Sequence, residues 1–191
     1  MPSIEALLTF GVMGVVLAIS AVTDVRHGKI YNAVTLPTIA VGLIGHTLAG
    51  GMTGTTYSIG LVGSAVGLAA GFLPMLAVWL AGGIHAGDVK LMAAVGALGG
   101  WSFALEALFF GLLTAAIMAI IAIIKKRIAR RTLARLLRFV YLSLTPGKPV
   151  DPATAESPKV PFGLALCIGS AAAAADMMLR GHLAHRLFPW M

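Results

Sequence analysis

Apolar residues run along this chain in blocks of membrane length, and the few polar interruptions between the blocks set the predicted elements. Residues 6–23 carry no charge, which is enough to cross a hydrocarbon core that takes about 20 residues of helix. After Lys29 no Asp, Glu, Lys or Arg appears until Asp88, and that stretch as a single helix would be about 87 Å long at ~1.5 Å per residue. It must turn back, and the turn falls at Gly50-Gly51-Met52-Thr53-Gly54-Thr55-Thr56, where glycines and small polar residues make poor helix interior. The second and third spans are then expected over 31–49 and 57–82. Residues 91–124 carry one charge, Glu106, and contain Gly99-Gly100-Trp101-Ser102, which reads as an interfacial turn with an aromatic anchor. That turn divides the stretch into two spans, the first of them short. A last apolar run over 160–179 makes six.

The basic residues orient these spans. A hairpin at 99–102 puts Lys90 and Lys125-Lys126-Arg127 on one side of the membrane, as the positive-inside rule favours. With the N-terminus outside, the inside segments 24–30, 83–90 and 125–159 hold twelve of the fourteen Lys and Arg. Within the last of these, Ile128, Leu133, Leu136, Leu137 and Val140 recur at helical intervals among basic residues, the pattern of a helix lying on an anionic leaflet. The Pro-rich stretch 145–158 is expected to be a loop.

Composition agrees: 59% of the 191 residues are hydrophobic and 11% charged, far from a soluble domain. The expected fold class is an all-α polytopic membrane protein, six transmembrane helices plus a basic amphipathic interfacial helix, in a single membrane-embedded domain over 1–191. The net charge of +7 clusters where orientation requires it and makes no case for nucleic acid. Cys167 stands alone, so neither an internal disulfide nor a cysteine zinc cluster is expected. No basic residue precedes the first apolar segment, whereas Arg26 and Lys29 follow it. That is the reverse of a secretory signal, so the first span is expected to be retained.

Ionisable groups in or beside spans are costly and are candidates for function. Of the seven acids, Asp151 and Glu156 fall in the basic loop, Glu5 and Asp176 near outer span ends, and Glu106 just after the outer turn. Asp24 and Asp88 differ, because the topology puts both at the cytoplasmic boundary, one ending the first span and the other opening the fourth. Two carboxyl groups brought together share a proton and can activate a water for attack on a peptide carbonyl. The plainer alternative is that Asp88 caps its helix and Asp24 marks an interface.

The surrounding residues add to this. The first acid lies in Thr23-Asp24-Val25-Arg26-His27-Gly28-Lys29-Ile30-Tyr31-Asn32 and the second in Gly82-Gly83-Ile84-His85-Ala86-Gly87-Asp88-Val89-Lys90-Leu91. These resemble the D-x-R-x-x-x-I-P-N and G-x-G-D-x-K-L motifs of the prepilin peptidase family of GxGD membrane proteases. Lys159-Val160-Pro161-Phe162-Gly163 is similar to the start of that family's last span. The resemblance implies an aspartic endopeptidase of the bacterial inner membrane, cutting prepilin leaders near the cytoplasmic face without metal or organic cofactor. It implies Asp24 and Asp88 as the catalytic pair, Gly87 for close backbone approach, and Lys90 and Asn32 as supporting residues. His85 stands where the first motif glycine is expected, and Tyr31 where the proline is expected. Larger members resemble this chain plus a cysteine-bearing module associated with N-methylation, so the compact peptidases of tight-adherence (Flp) pili are the expected subtype, ahead of archaeal preflagellin peptidases. A proton-coupled transporter and a non-catalytic pilus-assembly subunit are the competing classes. A midplane acid pair or an internal repeat would favour the first of these, and failure to shorten a prepilin the second.

Overall fold

A computed structural model describes residues 4–55, 58–125 and 161–187, with side chains described from residue 7 through residue 179 within those ranges. The described residues form helices α1 (Ile4–His27), α2 (Asn32–Gly50), α3 (Gly60–Leu80), α4 (Ala86–Lys125) and α5 (Phe162–Leu187), with no strand among them. All five are long and apolar enough to cross a membrane by length and composition. The interfacial helix and loop expected within 125–159 fall almost wholly outside the described residues.

The sequence pattern predicts six spans where five helices qualify, and the difference lies in α4. This 40-residue element is interrupted at Gly100, which has φ 78 and ψ 177, a conformation essentially confined to glycine. The contacts on the two sides of Gly100 differ. Before it, α4 packs on α2 and α3: an added Cβ on Gly42 would lie 2.9 Å from the Ala97 backbone, and Gly67 lies directly against Gly96 and Gly100. After it, Phe103 meets Phe10 of α1 edge to face at 5.5 Å, and Gly111 packs against Leu166 and Gly169 of α5. A straight helix would carry Gly111 about 35 Å beyond Asp88. Instead it touches α5 only three residues from Gly163, which bonds Asp24. These are the contacts of two arms that fold back at Gly100.

Small residues at these crossings let backbones approach where burial in lipid supplies no hydrophobic drive between helices. The first arm of α4 is the centre of the bundle: Leu91, Met92, Ala94, Val95 and Ala97 are almost wholly buried, and Leu91, Met92 and Val95 share one cluster with Met13, Leu17, Met75 and Leu166. Large apolar residues such as Leu8, Leu48, Leu73, Phe109 and Ile120 point outward instead, as a lipid-facing surface requires.

Candidate functional site

Asp24 lies in the last turn of α1. That helix stops at Gly28, whose φ of 62 is the left-handed value favoured at a helix end and whose N–H bonds the Asp24 carbonyl at 2.8 Å. The link 28–32 then crosses to α2, whose N-cap is Tyr31 with φ −84 and ψ 135. A proline would hold nearly the same φ, so tyrosine reproduces the backbone that the motif's proline would impose.

Asp88 lies in the first turn of α4 and is 4% exposed. Its Oδ2 accepts the backbone N–H of His85 at 3.0 Å, which is half of a capping box. The helix-capping role weighed for this residue is therefore real, and the second oxygen bonds no described residue. The His85 imidazole is 86% exposed, with Nδ1 4.0 Å from Asp88 Oδ2. What His85 gives Asp88 at bonding distance is its main-chain N–H, which any residue but proline would supply there. Gly87 lies against the 28–32 link: an added Cβ would stand 3.0 Å from Ile30 Cβ and 3.3 Å from the Ile30 carbonyl oxygen.

Asp24 and Asp88 line one cavity of about 270 Å³, whose wall is completed by the 28–32 link, His85 and Gly87. Asn32 is on that wall, and Lys90 Nζ donates to Asn32 Oδ1 at 2.9 Å, tying the start of α2 to the N-terminal end of α4. Glu106 and Asp176 do not line the cavity. Among the described residues no three His, Cys, Asp or Glu side chains converge as a metal-binding group.

One contact was not legible at the level of residue roles. The N–H of Gly163, at the start of α5, donates to Asp24 Oδ2 at 2.6 Å. The signal for it was the Pro161-Phe162-Gly163 segment, whose place in sequence is remote from both acids. A second omission is His46, half-buried in α2, with Nε2 2.9 Å from the Leu98 carbonyl and Nδ1 3.1 Å from Ser58 Oγ. It borders a separate cavity of about 210 Å³ lined otherwise by residues such as Leu8, Val12 and Val41.

Chemically, the first cavity offers two carboxyl groups, each with one oxygen held by a main-chain N–H and the other bonded to no described residue.

Comparison with known proteins follows the same lines. The model of the type IV leader peptidase family matches residues 11–121, a range that takes in Asp24, the 28–32 link and Asp88. A prepilin leader peptidase/N-methyltransferase of Bacillus subtilis (strain 168) is 32% identical over 118 residues, covering 60% of this chain and 44% of that protein. The match thus spans less than half of the relative's length. No solved structure matches.

Proposed function

Since the chain belongs to the type IV leader peptidase family, we propose that it is a prepilin leader peptidase in which Asp24 and Asp88 form an aspartic pair. The observation that carries this reading is that the two acids, on different helices, line one cavity. One carboxylate takes a proton from a water as it attacks the scissile carbonyl. The other, as the acid, hydrogen-bonds the carbonyl oxygen and then protonates the leaving amine. Gly87, Asn32 and Lys90 support the pair by holding α2 and α4 at the cavity.

The topology that suits this chemistry has six crossings, with α4 counted as two spans joined at Gly100. It places both acids at the cytoplasmic face of the bacterial inner membrane, where an apolar pilin helix stays in the bilayer and its polar leader junction reaches the site. Placement of the acids in the last turn of α1 and first turn of α4 argues for a boundary site over a midplane transport site. The substrate class extends to Flp-type prepilins, a reading set apart from archaeal preflagellin peptidases by Pro161-Phe162-Gly163.

Purified protein incubated with a Flp-type prepilin and with another type IV prepilin should shorten the first faster, with chelators making no difference. An uncut prepilin in both samples would leave an assembly subunit as the surviving reading, and chelator-sensitive cleavage would contradict the aspartic mechanism.

A further inference from the structure

The two acids are seated by different means. Asp88 is held within its own helix turn, by the His85 N–H three residues away at 3.0 Å. Asp24 is held from outside, by Gly163, 139 residues distant in sequence. Gly163 is the second residue of α5, a position whose N–H has no partner inside the helix. A 2.6 Å bond from such a donor to a carboxyl group is short enough to fix the acceptor.

The glycine itself is required by the distance. An added Cβ would stand 3.0 Å from Asp24 Oδ2, 3.1 Å from Asp24 Cβ and 3.2 Å from the Ser20 carbonyl oxygen. Two of those atoms belong to the root of the Asp24 side chain and to the α1 backbone, which cannot rotate aside. Any side chain at 163 therefore moves α1 and α5 apart by a few tenths of an ångström and draws the donor away from Asp24.

We infer that Gly163 is a positioning residue for Asp24: its N–H anchors Oδ2, so that Oδ1 is the oxygen presented to the cavity, and its lack of a side chain sets the spacing. This rests on the reading of Asp24 as catalytic. Residue 163 lies beyond the range matched by the family model, so the inference comes from the geometry of this chain.

The test compares Gly163→Ala with Gly169→Ala in the full-length protein cleaving a prepilin. Gly169 is on the same helix and packs more closely still, directly against the Gly111 backbone, with neither acid among the nearest atoms to an added Cβ. Gly163→Ala should lower kcat about tenfold or more, as misplacement of a reacting group does, with KM held within about twofold. Gly169→Ala should leave kcat near the parent value. Equal losses of kcat in the two variants would make the effect one of helix packing and overturn the inference.

Hydrogen exchange at the Gly163 amide supplies a measurement that needs no Gly163 variant. It should speed in Asp24→Ala and remain slow in Asp88→Ala, and equal exchange in both would overturn the anchoring role. Asp24→Asn separates the two layers. If Asp24→Asn is inactive while Gly163→Ala keeps the parent kcat, the positioning inference alone fails. If Asp24→Asn cleaves normally, the catalytic reading beneath it fails.

Discussion

The bundle has a cavity toward each end, and the two ends handle buried polar groups in opposite ways. Away from the aspartates, His46 spends both ring nitrogens, on the Leu98 carbonyl and on Ser58, and Ser64 Oγ donates to the Ala97 carbonyl at 2.6 Å. Because a carbonyl only accepts, Nε2 of His46 carries a proton toward Leu98, while Nδ1 pairs with the Ser58 hydroxyl at 3.1 Å. Their bonds join α2, α3 and the loop between them to the first arm of α4. At the aspartate end two carboxyls line the cavity, and each has one oxygen held by a main-chain N–H and the other bonded to no described residue. A fully bonded polar group in an apolar wall holds structure together, whereas a half-bonded acid pair facing a cavity is available for chemistry.

That contrast is sharpest in the expected effects of substitution. Asp24→Asn and Asp88→Asn should each abolish prepilin cleavage, by about 10³-fold or more, with the double variant no worse than either single because the pair acts as a unit. Membrane insertion should be unchanged, as judged by the yield of detergent-extracted protein. Near-normal cleavage by either variant would erase the functional distinction between the ends.

At the other end the losses should be in stability. Gly100→Ala forces a side chain into a conformation with φ 78 and ψ 177, at a cost of about 1–3 kcal/mol, read as a lowered unfolding midpoint in detergent. Reporter fusions at Gly51, Gly100 and Lys148 should read outside, outside and inside. An inside signal at Gly100 would break the two-arm reading of α4.

His46→Ala leaves the Leu98 carbonyl without its imidazole donor and takes one of several partners from Ser58, and should cost about 1–3 kcal/mol while kcat stays close to the parent value. A large fall in kcat with unchanged thermal stability would instead bring the far cavity into the reaction.

The smallest effect is expected back at the aspartate end. His85→Gly keeps the main-chain N–H that bonds Asp88 and removes only an imidazole that is 86% exposed, so cleavage rates should stay within about twofold, with surface changes typically costing under ~0.5 kcal/mol. An inactive His85→Gly protein would show that the ring acts on Asp88 across their 4.0 Å separation.

The membrane-spanning helical class of this protein was written in its sequence, because the cost of placing charge or unpaired backbone in lipid acts on every stretch of about 20 residues locally. The same local rule separated Asp24 and Asp88 from the other acids, and marked 99–102 as the place where the fourth apolar stretch breaks. Tertiary structure decided what depends on distance through space. It placed the two acids on one cavity, and showed that Asp88 is both a helix cap and a cavity residue. It also set the backbone at the two motif departures: the Tyr31 φ lies near the proline value, and His85 bonds Asp88 through its main chain. The seat of Asp24 was the least legible feature, since it is a main-chain N–H reached across 139 residues. A pattern of side chains carries no record of where a backbone donor will come to rest; only the packing of α5 against α1 determines that.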